Sequence, residues 1–109
     1  MVTNPRNRSQ AVFRALADPT RREILGLLRQ RPQSVGELAE NFRTSRPAIS
    51  KHLAVLRSAG LVISHQHGTS NICELSARPL RTVNEWLSDY RAFWQATLRD
   101  LKSYTEVDR

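Results

Sequence analysis

The 109-residue chain reads as a mainly α-helical domain with one small β-hairpin. Apolar residues return at helical spacing through most of its length, and two short β-prone runs flank a polar segment containing Gly68. The positive charge is crowded into the first sixty residues. At this length one compact domain is expected, with residues 1–8 as a flexible tail and 9–109 as the folded unit. A core this thin gains from the burial that a second subunit supplies.

Ser9 can open the first helix, whose apolar positions are Val12, Phe13 and Leu16. Asp18-Pro19 ends it and starts the next, because aspartate is a good N-cap and proline suits the first helical position. Ile24, Leu25, Leu27 and Leu28 give the second helix a broad inward face. It should close near Arg31-Pro32, since proline disfavours helical geometry in the residue before it. Ser34-Val35-Gly36-Glu37 fits a capping box, in which serine and glutamate satisfy each other's backbone amides. A short third helix follows, with Val35, Leu38, Ala39 and Phe42 inward, and Arg43-Thr44 leaves room only for a tight turn. Ser45 caps a fourth helix with Pro47 in its first turn. Its inward stripe is Ile49, Leu53 and Leu56, and Gly60 stands where a left-handed C-cap is expected.

Two helices joined by so short a turn, the second polar on one face, make a helix-turn-helix. Leu61-Val62-Ile63 and Ile72-Cys73-Glu74-Leu75 then read as a hairpin placed directly after it, the wing of a winged helix-turn-helix. From Pro79 to about Tyr104 one long helix is predicted, with Leu80, Val83, Leu87, Tyr90, Trp94, Leu98 and Leu101 in steps of three and four. Trp86 and Phe93 widen that stripe. It is too apolar for one thin domain to cover, so packing on the first helix and pairing with a second copy are both expected. The expected dimer interface is Val12, Phe13, Leu16, Leu80, Val83, Leu87, Tyr90, Phe93, Trp94, Leu98 and Leu101.

The net charge is +7. Residues 1–60 hold eleven basic side chains, ten Arg and Lys51, against Asp18, Glu23, Glu37 and Glu40, whereas residues 61–109 hold six of each sign. A one-sided positive field attracts a polyanion and gains from counterion release. No apolar run approaches the roughly 20 residues of a membrane span, and none follows the basic N-terminus as in a signal peptide. The single Cys73 allows no internal disulfide. A cytoplasmic protein without a membrane partner is expected.

Ala15-Leu16-Ala17-Asp18-Pro19-Thr20-Arg21-Arg22-Glu23-Ile24-Leu25 resembles the ArsR/SmtB family of bacterial repressors, and the likeness extends over nearly the whole chain. Ser45-Arg46-Pro47-Ala48-Ile49-Ser50-Lys51-His52-Leu53, continued through Leu56 to Ala59-Gly60-Leu61-Val62, is the more specific block, since it runs cap, reading helix, C-cap and wing strand in register. Trp86, Tyr90, Phe93 and Trp94 further resemble the SdpR-like, metal-independent autorepressors of that family. The resemblance implies a homodimer of α-α-α-α-β-β-α chains paired through their terminal helices. It also places DNA contacts at Arg46, Ser50 and Lys51.

With Ile49, Leu53 and Leu56 inward, Arg46, Pro47, Ser50, Lys51 and Ala54 face outward. Arg46 can bond guanine in bidentate fashion, Lys51 can approach it as a point donor, and Ser50 suits a base or a phosphate. Thr44 and Ser45 lie at a helix N-terminus that favours phosphate, with Arg43 adding charge, although capping is the simpler role for Ser45. Arg57 completes the polar face. His52 neighbours the inward stripe, so a half-buried anchor and a DNA contact remain equal readings. The wing segment, His65-Gln66-His67-Gly68-Thr69-Ser70-Asn71, lacks the arginines that relatives carry. His65, His67 and Thr69 can still meet phosphate, with weaker or more pH-sensitive bonds.

A two-residue loop across Gly68-Thr69 would set His65 opposite Ile72, with Cys73 on the other face. A three-residue loop would set His65 opposite Cys73. The plainer expectation is two exposed histidines and one packed thiol. The third helix lacks the cysteines of the family's arsenic and cadmium sensors, and the terminal helix has no histidine, so no metal or other cofactor is expected. No effector site is assignable. Catalysis is not expected either: Ser50 and His52, two apart on a helix, point to different faces, and no glycine loop cradles phosphate. A protein-interaction module would want an apolar face on the fourth helix, and an RNA reader exposed stacking aromatics. Duplex DNA, with an inverted-repeat operator read by a dimeric repressor, is the expected partner.

Overall fold

The computed structural model describes residues 5–107. Helix α1 spans Pro5–Leu16. It starts four residues ahead of the expected Ser9, because proline has the dihedral and the missing N–H that a first helical turn accepts. Residues 5–8 are thus helix rather than tail, and the rest of the expected tail, 1–4, lies outside the described residues.

Helix α2 spans Pro19–Gln30 and is capped by Asp18, whose Oδ1 accepts from the Thr20 and Arg21 amides at 2.8 and 3.2 Å. Desolvation opposes ionisation of Asp18, but the bonds from Arg21 and Thr20 and the nearby positive charge outweigh it, holding the carboxyl below its ordinary value. The arginines that follow reach back to α1. Arg21 Nε and Nη2 donate to the Ala15 and Arg14 carbonyls at 2.7 and 2.9 Å, and Arg22 Nη1 donates to Leu16 O at 2.7 Å. They satisfy carbonyls that a helix end leaves open.

Strand β1, Gln33–Ser34, was not expected: two residues carry no alternation to read. Its Gln33 is buried, and Nε2 donates to Leu27 O at 2.9 Å. Helix α3 spans Val35–Ala39 behind the expected capping box, with both Ser34–Glu37 bonds at 3.0 Å. The amide of Ser34 holds Glu37 below its ordinary pKa, helped by Arg31. Regular helix stops at Ala39 rather than Phe42, so residues 40–45 form a longer connection than the tight turn expected. The amides of Asn41 and Phe42 reach back only three residues, and Asn41 Nδ2 takes the Glu37 and Leu38 carbonyls. Phe42 still packs on the core.

Helix α4 spans Arg46–Ser58 and ends as expected at Gly60, whose φ is +77°. Strands β2, Val62–His67, and β3, Ser70–Leu75, form an antiparallel hairpin, and β1 adds to the far edge of β3 in the order β1-β3-β2. The turn is the two-residue one, with Gly68 at φ +64°. The core lies where α1 to α4 meet this sheet. Val12, Ala15, Ile24, Leu38, Ile49, Leu53, Leu56, Leu61 and Cys73 are almost wholly buried there.

The single terminal helix is corrected. A 3-10 turn at Arg78–Leu80 leads into α5, Arg81–Ser88, and a break at residues 89–90 separates it from α6, Arg91–Val107. Ser88 Oγ donates to Glu85 O at 2.6 Å, and the Asp89 and Tyr90 amides reach back three residues instead of four. This over-tightened turn re-aims the chain. Arg91 hydrogen-bonds Asn84 across the break. Helix α6 projects from the domain, and the radius of gyration is 18.0 Å. A compact chain of this length would measure about 13 Å.

Candidate nucleic-acid interface

Ile49, Leu53 and Leu56 of α4 are fully buried, which turns the opposite face of the helix outward. Arg46, Pro47, Ser50, Lys51, Ala54 and Arg57 all lie on that exposed face, and Arg43 and Thr44 are exposed just before it. Ser45 Oγ accepts from the Ala48 amide at 3.2 Å, so this serine is committed to the cap. The Arg46 guanidinium lies over α3: a Cβ on Gly36 would sit 3.7 Å from its Cζ. It has no carboxylate partner among the described residues.

His52 is half-buried and sits 3.3 Å, Nδ1 to Nη1, from Arg21. Arginine only donates, so Nδ1 accepts and the remaining ring proton sits on Nε2. The anchor reading therefore has a named partner: His52 ties α4 to the arginine that closes α1. Sequence reasoning missed Arg21 in this role, because a contact between residues 31 apart leaves no periodic trace.

In the wing, His65 pairs in register with Ile72, while Cys73 opposes Ser64 and is buried on the other face. His65 Nε2 lies 3.2 Å from Glu74 Oε2, which sets a carboxylate beside one wing imidazole. His67 and Thr69 are exposed at the tip. Arg57 Nη1 donates to Ser64 Oγ at 3.0 Å, bracing the end of α4 against the first wing strand. Among the described residues no group of three His, Cys, Asp or Glu side chains could hold a metal.

The expected dimer residues divide into two sets. Val12 is 2% exposed and belongs to the core of its own chain, and Leu16, Leu80 and Val83 pack against that core. Val12 is therefore corrected: it has no surface left for a partner. Phe13, Tyr90, Phe93, Trp94, Leu98 and Leu101 are exposed, Phe93 by 75%, with Leu87 half-buried between them. Phe13 meets Trp86 edge-on at 5.8 Å, and Trp86 meets Tyr90 at 5.1 Å, so the exposed ridge continues from α1 across α5 onto α6.

A capped reading helix with a polar outer face, an α3 joined to it by a short connection and a hairpin behind it define a winged helix-turn-helix regulator of transcription. Residues 18–64 match the family described as bacterial regulatory protein, arsR family. The transcriptional repressor SdpR of Bacillus subtilis is 37% identical over 79 residues, covering 72% of this chain and 88% of its own. The HTH-type transcriptional regulator Rv2034 of Mycobacterium tuberculosis is 41% identical over 86 residues, covering 79% and 78%. The crystal structure of the ArsR family transcriptional regulator RHA00566 superposes with a TM-score of 0.74 at 35% identity, covering 87% of this chain and 97% of the other. The chain belongs to the ArsR family. It is a DNA-binding transcriptional regulator and not an enzyme, and no helix among the described residues is long and apolar enough to cross a membrane.

Proposed function

We propose that this protein is a homodimeric repressor, acting in the cytoplasm, that occupies an inverted-repeat operator and blocks polymerase there. The exposed polar face of α4 carries this reading. Arg46 and Lys51 offer base-edge donors, Ser50 a base or phosphate contact, and Arg43, Thr44 and Pro47 line the approach to the helix N-terminus. His65, His67 and Thr69 meet the flanking backbone from the wing, and Arg57 holds wing and reading helix together. His52 serves as an anchor.

The aromatic ridge of α5 and α6 supports the dimer. An unbroken row of exposed Trp, Tyr, Phe and Leu is the kind of surface that a soluble chain covers with another protein surface. Paired through it, two copies would present their reading helices roughly 34 Å apart, in successive major grooves. SdpR, named a transcriptional repressor, supports the direction of control.

Fluorescence anisotropy with duplex DNA from upstream of the protein's own coding sequence tests this reading. Binding should be saturable, should leave scrambled duplex about a thousandfold weaker, and should fall steeply with salt. Equal affinity for scrambled duplex, or a flat salt response, would sink it.

A further inference from the structure

A cleft of about 610 Å³ opens where the start of α1, the end of α4 and the start of α5 converge. Its volume falls within the roughly 300–1,000 Å³ of small-molecule sites. Four arginines line it: Arg8 from α1, Arg57 from the last turn of α4, Arg78 from the 3-10 turn and Arg81 from α5. Against them stands one carboxylate, Glu85. The side chains of Arg8, Arg78 and Arg81 make no hydrogen bond or ion pair with other described residues, while the hydroxyl-bearing Ser76 and Thr82 share the cleft walls.

The negative end of the α4 dipole accounts for one cation nearby, Arg57, but not for three more arriving from other elements. Base reading does not account for them either. A recognition helix works from its N-terminal turns, and this cleft lies at the other end of α4. Like charges gathered around one concavity repel each other unless an anion lies between them. Planar, always-charged guanidinium groups are also the side chains best matched to phosphate and carboxylate.

We propose that this cleft is an effector site for a small polyanion, a molecule carrying two or more phosphate or carboxylate groups, whose binding weakens the grip on DNA. Arg57 couples the two events. Its guanidinium braces α4 to the wing through Ser64 Oγ, a neutral acceptor. An anion in the cleft is the stronger acceptor and draws Arg57 away, which releases the wing strand from the end of the reading helix. The same ligand bridges α4 to α1 and α5, which carry the aromatic ridge. Linkage is reciprocal, so bound DNA lowers affinity for the anion by the same factor.

The binding half of this proposal stands by itself, whereas the control half rests on the DNA-binding reading, and the experiment separates them. The full-length protein is titrated with pyrophosphate and, separately, with citrate at constant ionic strength, following the backbone amide resonances of Gly60, Ser76 and Thr82. Saturable shifts with either probe are expected, and their relative affinities assign the phosphate or carboxylate class. Arg78→Gln with Arg81→Gln should weaken binding about tenfold or more, whereas Glu85→Gln should tighten it about two- to threefold, a gain that misfolding cannot produce. Shifts that stay linear and equal those from sodium chloride, or a curve unchanged in the double variant, would overturn the site. Operator affinity should then fall about threefold or more at saturating ligand in the wild type and stay constant in the double variant. Unchanged operator affinity in the wild type would overturn the control half alone. A protein that binds the anions but no DNA would overturn the functional reading and the coupling, and leave the site standing.

Discussion

The segment from α2 through the wing and the segment from α5 onward are both helical and amphipathic, yet they end in opposite states. In the first, every apolar stripe meets another: Ile24, Leu38, Leu53 and Leu61 are fully enclosed, and Asp18, Ser34 and Ser45 cap the helices that start beside them. In the second, the stripe is formed and left open, and every described residue from Ala92 to Lys102 is exposed. The first region is complete as a monomer, so its outer face is free to carry charge for DNA. In the proposed dimer, the second is half of a structure whose other half is a second copy. A hydrophobic stripe states that something must be covered, and only the surrounding chain states whether the cover is already present.

The largest expected effect breaks the open half. Trp94→Glu with Leu98→Glu places two charges on the ridge without touching the core. Light scattering should return a monomer, and operator affinity should fall about a hundredfold or more, because the second half-site no longer benefits from tethering. A variant that stays dimeric would show that the ridge serves something else. Next in size is the reading face of the closed half. Arg46→Ala should cost about 1–3 kcal/mol and relax base preference at one operator position, whereas Lys51→Ala should weaken all sequences more evenly. Uniform loss from Arg46→Ala would reassign that side chain to the phosphate backbone.

A smaller gain is expected at the wing. His65→Arg adds a permanent positive charge and should steepen the salt dependence by about 0.9 in the log–log slope, with a few-fold tighter binding. An unaltered slope would mean that the wing does not reach the backbone, or that Glu74 neutralises whatever stands at 65. The smallest effect concerns the caps. Asp18 and Glu37 are both held below their ordinary values of 3.8 and 4.5, so each favours the native state above those values. That contribution is lost as pH falls through the still lower folded values. Chemical unfolding measured from pH 7 down to 3 should therefore show stability declining below about pH 4.5, with a shallower decline in Asp18→Asn and Glu37→Gln. Equal acid limbs in all three proteins would remove the caps from the account.

Local signals were legible wherever a residue acts on its neighbours. Asp18-Pro19, the Ser34–Glu37 box, Ser45 and Gly60 stand where sequence reasoning put them, since capping is settled within four residues. The outward face of α4 was legible for the same reason, as the far side of a buried i, i+4, i+7 stripe. Strand β1 was not, because its ladder partner is β3, some forty residues away. The break at residues 89–90 was hidden too. Steps of three and four continue through it, and the periodicity of Leu87, Tyr90 and Trp94 reports a face rather than an unbroken hydrogen-bond ladder. Val12 and Leu98 look alike in sequence, but only packing made one core and the other surface.

By itself the sequence determined the helix-turn-helix with its caps, the hairpin behind it, the one-sided charge and the apolar stripes, because each depends on spacing and on backbone chemistry over a few residues. The tertiary structure decided which stripe is closed, how Arg21 locks His52 and α1, that Cys73 turns away from His65, and that four arginines from three parts of the chain surround one cleft. Those outcomes depend on where distant segments come to lie, and the free energy that sets them belongs to contacts between segments rather than to any one of them.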